Sequence, residues 1–318
     1  KMLAQDGRIE SGEGCVVGSV SQQTAIVNTL GLNVSSQSSA MLGYAIPNAR
    51  EGEDVASEFA FSAWMNTDDI DLDALAAQAA RNALDGLGAQ SMPSGRMPVL
   101  LTPEAAMDFL STFSSVFSAD QAQKDMSLLK GREGEVIAAG CVTLMDDPHM
   151  PASIASVPFD GEGVATIVKK VIDEGRLTTL LHNLKTAHKQ GVKSTGNAVR
   201  TYASTVSIAP SNFYIAPGES SPEELAARMG DGLILTSVAG LHAGANDISG
   251  DFSLSAKGFK VEGGKKTSAV KQITVAGNFF QLLKDIQAVG SDLRFGMPGL
   301  SRFGSPSLLV SELSIAGE

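Results

Sequence analysis

The sequence contains few of the residues that form disulfides or bind transition metals. Among its 318 residues there are only two cysteines, Cys15 and Cys141, and four histidines. The cysteines are too far apart to form a CxxC pair, and two isolated thiols are typical of a reducing compartment. We therefore expect a cytoplasmic protein without a disulfide framework.

The sequence also lacks an apolar run of the roughly 18 residues that a membrane-spanning helix requires. The best candidates, residues 134–145 and 233–245, are shorter and are interrupted by Glu135 and His242. The first residues are polar and do not form the apolar stretch of a signal peptide. These features predict a soluble protein that does not bind a membrane.

Positive charge is scarce as well. Lys and Arg together number 24 against 35 Asp and Glu, which gives a formal net charge of −11. A negative protein repels the phosphates of nucleic acids. The sequence therefore argues against a partner that is DNA or RNA.

Hydrophobic residues and glycines, in contrast, are abundant. Hydrophobic residues make up 43% of the chain, enough for a sizeable core, and 33 glycines predict many tight turns. Short alternating segments typical of strands and helical patterns follow each other irregularly, without the repeat of a parallel doubly wound sheet. We expect an α+β fold with mainly antiparallel and mixed sheets and flanking helices.

A segment rich in proline and glycine, residues 88–98, has no hydrophobic periodicity and is interpreted as a linker. We therefore predict two domains. Residues 1–92 would be the remainder of an N-terminal α+β domain, and residues 93–318 a C-terminal α+β domain.

Several elements can be predicted in detail. Residues 71–84 have apolar positions at helical spacing, and Thr102-Pro103-Glu104 is a typical helix start for a helix through residue 117. Turns at residues 173–175 and 263–264 predict two hairpins. Asn278 is expected to cap a last helix that continues to residue 290.

Candidate catalytic residues are dispersed. Asp160 and Glu162 lie in a glycine-rich turn, where two carboxylates could orient a peptide amine or a water molecule, although a turn rich in Asp and Gly would look the same. The group Asp146, Asp147 and His149 could hold a cation, but a solvated turn is the preferred interpretation. Residues 240–246 are small enough to leave backbone accessible around His242 and Asn246.

Six motifs occur in an order that resembles one known family. They are Asn28-Thr29-x-Gly31, Pro158-Phe159-Asp160-x-Glu162-Gly163-Val164-x-Thr166, Lys193-Ser194-Thr195-Gly196-Asn197, Ile248-Ser249-Gly250-Asp251-Phe252-Ser253, Ile273-Thr274-Val275-Ala276-Gly277-Asn278 and Ser314-Ile315-Ala316-Gly317. The family is TldD/PmbA, called modulators of DNA gyrase, and the closer resemblance is to the PmbA (TldE) branch.

This resemblance implies a metallopeptidase system for peptide processing in which a TldD-type subunit binds zinc and a PmbA-type subunit pairs with it. Members that bind the metal have His-Glu-x-x-x-His on a helix after a short apolar strand, and a cysteine near the C-terminus. In this sequence Pro103 and Asp108 lie at the two histidine positions, Glu104 is retained, and residues 293–306 contain no cysteine. Proline cannot bind zinc, so the resemblance implies no metal and no cofactor in this chain, with zinc in the partner subunit.

As the non-metal subunit of such a peptidase, the chain would have residues that contact the peptide. Candidates are the two glycine-containing loops, which would bind substrate backbone by strand addition. Their residues are Ser194, Thr195, Gly196 and Asn197 in the first loop, and His242 and Asn246 in the second. Family members have a further N-terminal region, so we expect the sequence to be the larger part of a longer subunit.

Three hypotheses follow. The first is a non-metal subunit of a heteromeric peptidase, without catalytic residues of its own, which could form a homodimer when alone. The second is an autonomous hydrolase that uses Asp160 and Glu162 with His182 or His242. The third is a non-enzymatic regulatory protein that binds a protein target.

Overall fold

A long antiparallel hairpin dominates the beginning of the chain in the computed structural model, which describes residues 1–318 except for the side chains of Ser11 and Glu13. Strands β1 (Ile9–Val27) and β2 (Asn33–Glu51) pair along their whole length. Strands β3 (Asp54–Ser57) and β4 (Ala60–Trp64) then pair with β2 only. Beyond β4 the hairpin continues as a two-stranded ribbon. We call this ribbon, residues 20–40, the arm.

Helix α1 (Leu72–Asp85) covers one face of this sheet. The carboxylate of Asp71 accepts a hydrogen bond from the backbone N–H of Ala74 at 2.8 Å and so caps the helix. The buried face is rich in alanine, which lets the helix backbone approach β2 and β4 closely. The predicted helix over residues 71–84 is therefore confirmed to within one residue.

The rest of the chain alternates short helices and strands. In chain order these elements are β5 (Gly95–Leu101), α2 (Pro103–Thr112), α3 (Ala119–Gln123), β6 (Leu144–Asp146), β7 (Lys169–Asp173), β8 (Arg176–Leu177), α4 (Leu184–Gln190), β9 (Ala198–Val199), β10 (Ser207–Ile208), β11 (Asn212–Ile215), α5 (Pro222–Met229), β12 (Gly232–Ala239), α6 (Leu241–Gly244), β13 (Asp251–Glu262), β14 (Lys265–Asn278), α7 (Phe279–Asp285), β15 (Ile286–Val289), β16 (Arg294–Phe295), β17 (Arg302–Ser305) and β18 (Leu308–Ala316).

Five of these strands form a partial barrel. The order is β14-β13-β12-β5-β18, and β14 pairs again with β18, for example Ala276 with Ser314. The β5–β12 pair is parallel and the other pairs are antiparallel. The mixed α+β class predicted from the sequence is confirmed.

A second six-stranded sheet, in the order β16-β17-β11-β6-β7-β8, lies next to the barrel. Helix α2 contacts β12 of the barrel and β17 of the second sheet. Aromatic pairs extend across the junction, with ring centroids 4.8 Å apart for Phe109 and Phe252 and 5.6 Å apart for Phe117 and Phe213. The two sheets therefore share one large hydrophobic core.

Two predicted helices are shorter than expected. The helix expected to reach residue 117 ends at Thr112, and a 3-10 turn, Ser114–Phe117, follows it. The last helix ends at Asp285 rather than at residue 290, because Ile286–Val289 is a strand that pairs with β18. Both predicted hairpins are present, with turns at Glu174-Gly175 and Gly263-Gly264.

Two hydrophobic clusters consist only of residues up to Leu87, and the large cluster begins at Met92. The predicted domain boundary between residues 92 and 93 lies in this connection and stays a prediction. Throughout residues 1–318, no helix that the structure describes has the length and apolar character needed to cross a membrane.

Candidate functional site

A cavity of about 170 Å³ lies between the arm and a wall of loops around β9. The arm contributes Gln22 and Thr24 from β1 and their cross-strand partners Ser38 and Ser36 from β2, so these four side chains share one face of the ribbon. The facing wall consists of residues 154, 155, 157, 159–161, 196–200, 209–211 and 299–300. This arrangement forms a cleft with uncharged amide and hydroxyl groups on the arm side.

The tip of the arm is held against the far end of this wall. The side chain of Leu32 packs so closely on Gly163 that a Cβ at residue 163 would lie 2.4 Å from its Cδ2 atom. Gly163 also has a φ of +80°, a conformation that favours glycine. Contact at the tip therefore depends on a residue of the motif that contains Asp160 and Glu162.

The carboxylate of Asp160 has a structural role. Its Oδ1 accepts hydrogen bonds from the backbone N–H groups of Glu162 at 2.9 Å and Val164 at 3.0 Å, and its Oδ2 accepts one from Ala198 at 3.0 Å. Asp160 is buried, and these bonds fix the turn and tie it to β9. A carboxylate that accepts three backbone hydrogen bonds is poorly placed to move protons.

The carboxylate of Glu162 also binds backbone. Its Oε2 accepts a hydrogen bond from the N–H of Leu184 at 2.8 Å, in the first turn of α4. Among the described side chains, neither Asp160 nor Glu162 is hydrogen-bonded to a histidine; the Nδ1 of the buried His182 is instead 3.3 Å from Thr186 Oγ1. The geometry therefore gives no support to an acid–base pair of these carboxylates with His182 or His242.

The loop of residues 194–197 packs on the backbone of His182. The Oγ1 of Thr195 accepts a hydrogen bond from His182 N at 2.6 Å, and Ser194 Oγ donates to His182 O at 3.2 Å. Gly196 and Asn197 line the cavity, whereas Ser194 and Thr195 do not. Two of the four predicted residues of this loop therefore face the cleft.

Behind this wall lies a buried ion pair that the sequence interpretation missed. Lys169 Nζ is 2.8 Å from Asp146 Oδ2, and both side chains are almost completely buried. Asn197 Nδ2 donates to the same oxygen at 2.7 Å, and Ser211 Oγ donates to Asp146 Oδ1 at 2.6 Å. The interpretation of Asp146 as part of a solvated turn was wrong. Its side chain is buried, and its partners come from three distant segments of the chain.

His242 and Asn246 are not brought to this cavity. His242 is exposed in α6, and Asn246 uses its Oδ1 to accept hydrogen bonds from the backbone N–H groups of Ile248 and Ser249 at 3.0 and 3.1 Å. Neither residue lines the cleft. The two loops predicted to contact a peptide therefore do not form one surface around this cavity.

The junction between β5 and α2 is where the family resemblance expects metal ligands. Pro103 is buried at the first position of α2, and the carboxylate of Glu104 lies 3.2 Å from the guanidinium of Arg294. Asp108 lies one turn later on the same helix. Burial raises the pKa of Asp108 to about 6, the charge of Glu104 adds to this, and the N–H of Val238 has the opposite effect.

These residues do not fit a zinc ion. The proline side chain has no donor atom, Glu104 is ion-paired with Arg294, and a carboxyl group with a pKa of about 6 loses its proton less readily than an ordinary aspartate. Among the residues whose side chains the structure describes, no group of three or more His, Cys, Asp or Glu could hold a metal ion.

The fold first defines a class, that of mixed α+β proteins with a partial barrel. The chain belongs to the PmbA/TldD family: residues 1–87 match its model of the PmbA/TldA metallopeptidase central domain, and residues 94–317 match that of the C-terminal domain.

Several relatives in this family are about a quarter to a third identical to the chain over the aligned residues. The metalloprotease PmbA homolog of Buchnera aphidicola is 28% identical over 98% of the chain and 67% of its own length, and metalloprotease PmbA of Escherichia coli O157:H7 is 30% identical over 85% and 57%. The chain therefore spans between 57% and 67% of the length of these two relatives.

Two solved structures have the same fold over nearly the whole chain. A Thermotoga maritima protein named for the modulation of DNA gyrase has a TM-score of 0.93 at 38% identity, and TldE from Thermococcus kodakarensis has 0.91 at 25%. Each alignment covers 99% of this chain and 71% of the other.

Proposed function

We propose that this chain is the non-metal subunit of a PmbA/TldD-type metallopeptidase and that it shapes the peptide cleft for a TldD-type partner that binds zinc. The observation that supports this most directly is the start of α2. A buried proline, an ion-paired glutamate and an aspartate with a raised pKa lie where the resemblance expects the metal-binding motif.

The cleft under the arm supports a role in binding peptides. Its arm side presents Gln22, Thr24, Ser36 and Ser38, which are uncharged groups that can both donate and accept hydrogen bonds. Such groups match the alternating N–H and C=O groups of an extended peptide without selecting a charged side chain. The wall opposite is fixed by Asp160 and by the buried pair of Asp146 and Lys169. The chain would act at this site by binding and orienting peptide, without performing the chemical step.

The test uses the full-length chain, alone and mixed with a TldD-type subunit that has the His-Glu-x-x-x-His motif. We expect no stoichiometric zinc by elemental analysis and no peptide cleavage for the chain alone, and cleavage for the mixture that exceeds that of the partner alone. Stoichiometric zinc together with cleavage by the lone chain would refute the proposal. Binding of the partner without any gain in cleavage would favour a regulatory protein instead.

A pair of variants tests the cleft. Ser36→Trp places a large side chain on the face of the arm that lines the cavity, whereas Ser35→Trp places the same side chain on the exposed opposite face. We expect Ser36→Trp to reduce cleavage by the mixture at least about tenfold, the loss that follows from about 1.4 kcal/mol of binding energy. Equal activity of the two variants would exclude the cleft as the peptide site.

A further inference from the structure

Arg302 carries a positive charge next to the cleft without a carboxylate partner. It is the first residue of β17, and its backbone N–H donates to the carbonyl of Ser211 at 2.8 Å. Ser211, Gly299 and Leu300 line the cavity, so the backbone of Arg302 adjoins the cleft wall. Among the described side chains, no Asp or Glu forms an ion pair with its guanidinium, whose contacts are a carbonyl and a hydroxyl group.

The guanidinium of Arg302 is held in place, but its hydrogen bonds are poorly satisfied. It lies over the ring of Phe295, with 5.0 Å between its Cζ and the ring centroid. Its Nε donates to the carbonyl of Gly296 at 3.3 Å, and its Nη1 lies 3.5 Å from Ser153 Oγ. Hydrogen bonds from a charged donor to a carboxylate are shorter, about 2.7–2.9 Å. A guanidinium has more N–H groups than these two contacts use, so donors remain for a further acceptor.

Partial burial makes this unpaired charge unfavourable. Burial lowers the pKa of the Arg302 guanidinium, which nevertheless keeps its proton at neutral pH. The carboxylates at the end of the adjacent strand β6 are engaged elsewhere. Asp146 pairs with Lys169, and the carboxylate of Asp147 accepts a hydrogen bond from the N–H of His149 at 2.8 Å. A ligand with a carboxylate would therefore supply the partner that the fold does not provide.

We infer that Arg302 binds a carboxylate of the peptide in the cleft, and that it makes this site selective for peptides with an acidic group at that position. The carboxylate belongs either to the C-terminus of the peptide or to an Asp or Glu side chain, since both present the same planar pair of oxygens. The planar guanidinium can bind both oxygens, and the ring of Phe295 keeps it oriented. The inference rests on the proposed peptide-binding role of the cleft.

The test measures equilibrium binding of synthetic peptides to the full-length chain by fluorescence anisotropy. The peptides consist of alanine and serine and carry a neutral label at the N-terminus. One has a free C-terminal carboxylate, one has a C-terminal amide, and a set of amidated peptides has a single Glu at successive positions. We expect a peptide with a carboxylate to bind at least about tenfold more tightly than the neutral amide. Which peptide does so identifies the source of the carboxylate.

Three variants assign this preference to Arg302. Arg302→Gln should abolish it and bind the neutral amide within about threefold of the unmodified chain. Arg302→Lys keeps the charge without the planar fork and should keep part of the preference, which preserves the test if Arg302→Gln does not fold. Arg228→Gln is the matched control, because it removes an arginine that donates to the carbonyl of Gln287 and does not line the cavity. This variant should keep the full preference.

Equal affinities for charged and neutral peptides, or no binding of any peptide up to about 1 mM, would overturn the inference. A preference that survives Arg302→Gln would also overturn it, and its loss in Arg200→Gln would then assign the contact to the exposed Arg200 of the cavity lining. No cleavage is measured here. A carboxylate preference without any gain in cleavage by the mixture would therefore refute the proposed peptidase role and leave this inference in place.

Discussion

The guanidinium of Arg294 lies 3.2 Å from the carboxylate of Glu104, although 190 positions separate the two residues. Glu104 is the second residue of α2 and Arg294 begins β16, so the fold brings together the helix start and the C-terminal segment that the resemblance connects with metal binding. In this chain a fixed positive side chain occupies the neighbourhood of the glutamate. Because the contact is exposed, we expect it to balance the charge of Glu104 locally but to add little to the stability of the fold.

Replacement of Glu104 should change the acidity of Asp108. We expect Glu104→Gln to lower the pKa of Asp108 below its value of about 6, because it removes a neighbouring negative charge, but not to its ordinary value, because burial is the larger cause. Carboxyl carbon NMR across a pH titration measures this directly. Arg294→Gln is the control, since it leaves the charge of Glu104 in place; a fall of the Asp108 pKa in that variant would contradict the explanation.

The raised pKa of Asp108 predicts a pH dependence of stability. Between its ordinary pKa of 3.8 and its folded-state pKa of about 6, the folded chain holds the proton more tightly than the unfolded chain. The contribution of this group to the free energy of unfolding is therefore largest below pH 3.8 and is lost as the pH rises through 6. The whole effect is at most about 3 kcal/mol.

Asp108→Asn removes this titration and keeps the shape of the side chain. From pH 4 to pH 7, the stability of the variant should rise by about 1–3 kcal/mol relative to that of the unmodified chain. Urea unfolding of both proteins at both pH values measures this change. Comparison of the variant with the unmodified chain at each pH cancels the contribution of all other titrating groups. Parallel pH profiles for the two proteins would show that Asp108 does not titrate in this range.

The buried pair of Asp146 and Lys169 should be important for stability. Lys169→Met leaves the carboxylate of Asp146 buried without its cation, a change that typically costs about 3–5 kcal/mol. The neighbouring Lys170 provides a matched control, because it pairs with Asp173 at the surface and Lys170→Met should cost less than about 1 kcal/mol.

Urea unfolding of these two variants and of Asp146→Asn with Lys169→Met measures the effect. The double variant should recover part of the loss, since it removes the unpaired charge. Equal costs for Lys169→Met and Lys170→Met would mean that the buried pair contributes no more than a surface contact.

Local patterns in the sequence predicted the helices better than the sheets. The helix from Leu72 to Asp85 follows from its apolar spacing and its Asp71 cap, and the Asn183 cap with Gly191 defines α4. Closure of the barrel depends on pairing between β14 and β18, whose residues are far apart in the sequence and have no local signal.

The candidate site was also only partly predictable from the sequence. Asp160 and Glu162 were found because a short Asp-Gly motif is visible in the sequence, but their bonds to Ala198 and Leu184 were not predictable from it. The burial of Asp146 depends on Lys169, Asn197 and Ser211, which only the tertiary fold collects. The apolar residues Ile286, Ala288 and Val289 suit a helix end and an inner strand equally, and pairing with β18 decided between them.

Gly196 connects the cleft to its supporting wall, and its replacement should reveal how tightly that wall is packed. It has a φ of +71°, and an added Cβ would lie 2.9 Å from Thr166 Cα and 3.0 Å from Ala165 O. Gly191 is the matched control, because its φ is +73° and nothing lies within 4 Å of its added Cβ.

Both alanine variants therefore incur the cost of a left-handed conformation, about 1–2 kcal/mol, but only Gly196→Ala adds a steric clash with backbone atoms. Urea unfolding should show Gly196→Ala to be less stable than Gly191→Ala by at least about 1 kcal/mol. Hydrogen exchange should locate the added loss at residues 165–166 and at Asn197, since these must move to admit the methyl group. Equal losses of stability in the two variants would mean that the backbone around Gly196 moves easily to admit the methyl group. This wall of the cleft would then not be a rigid surface for an extended peptide.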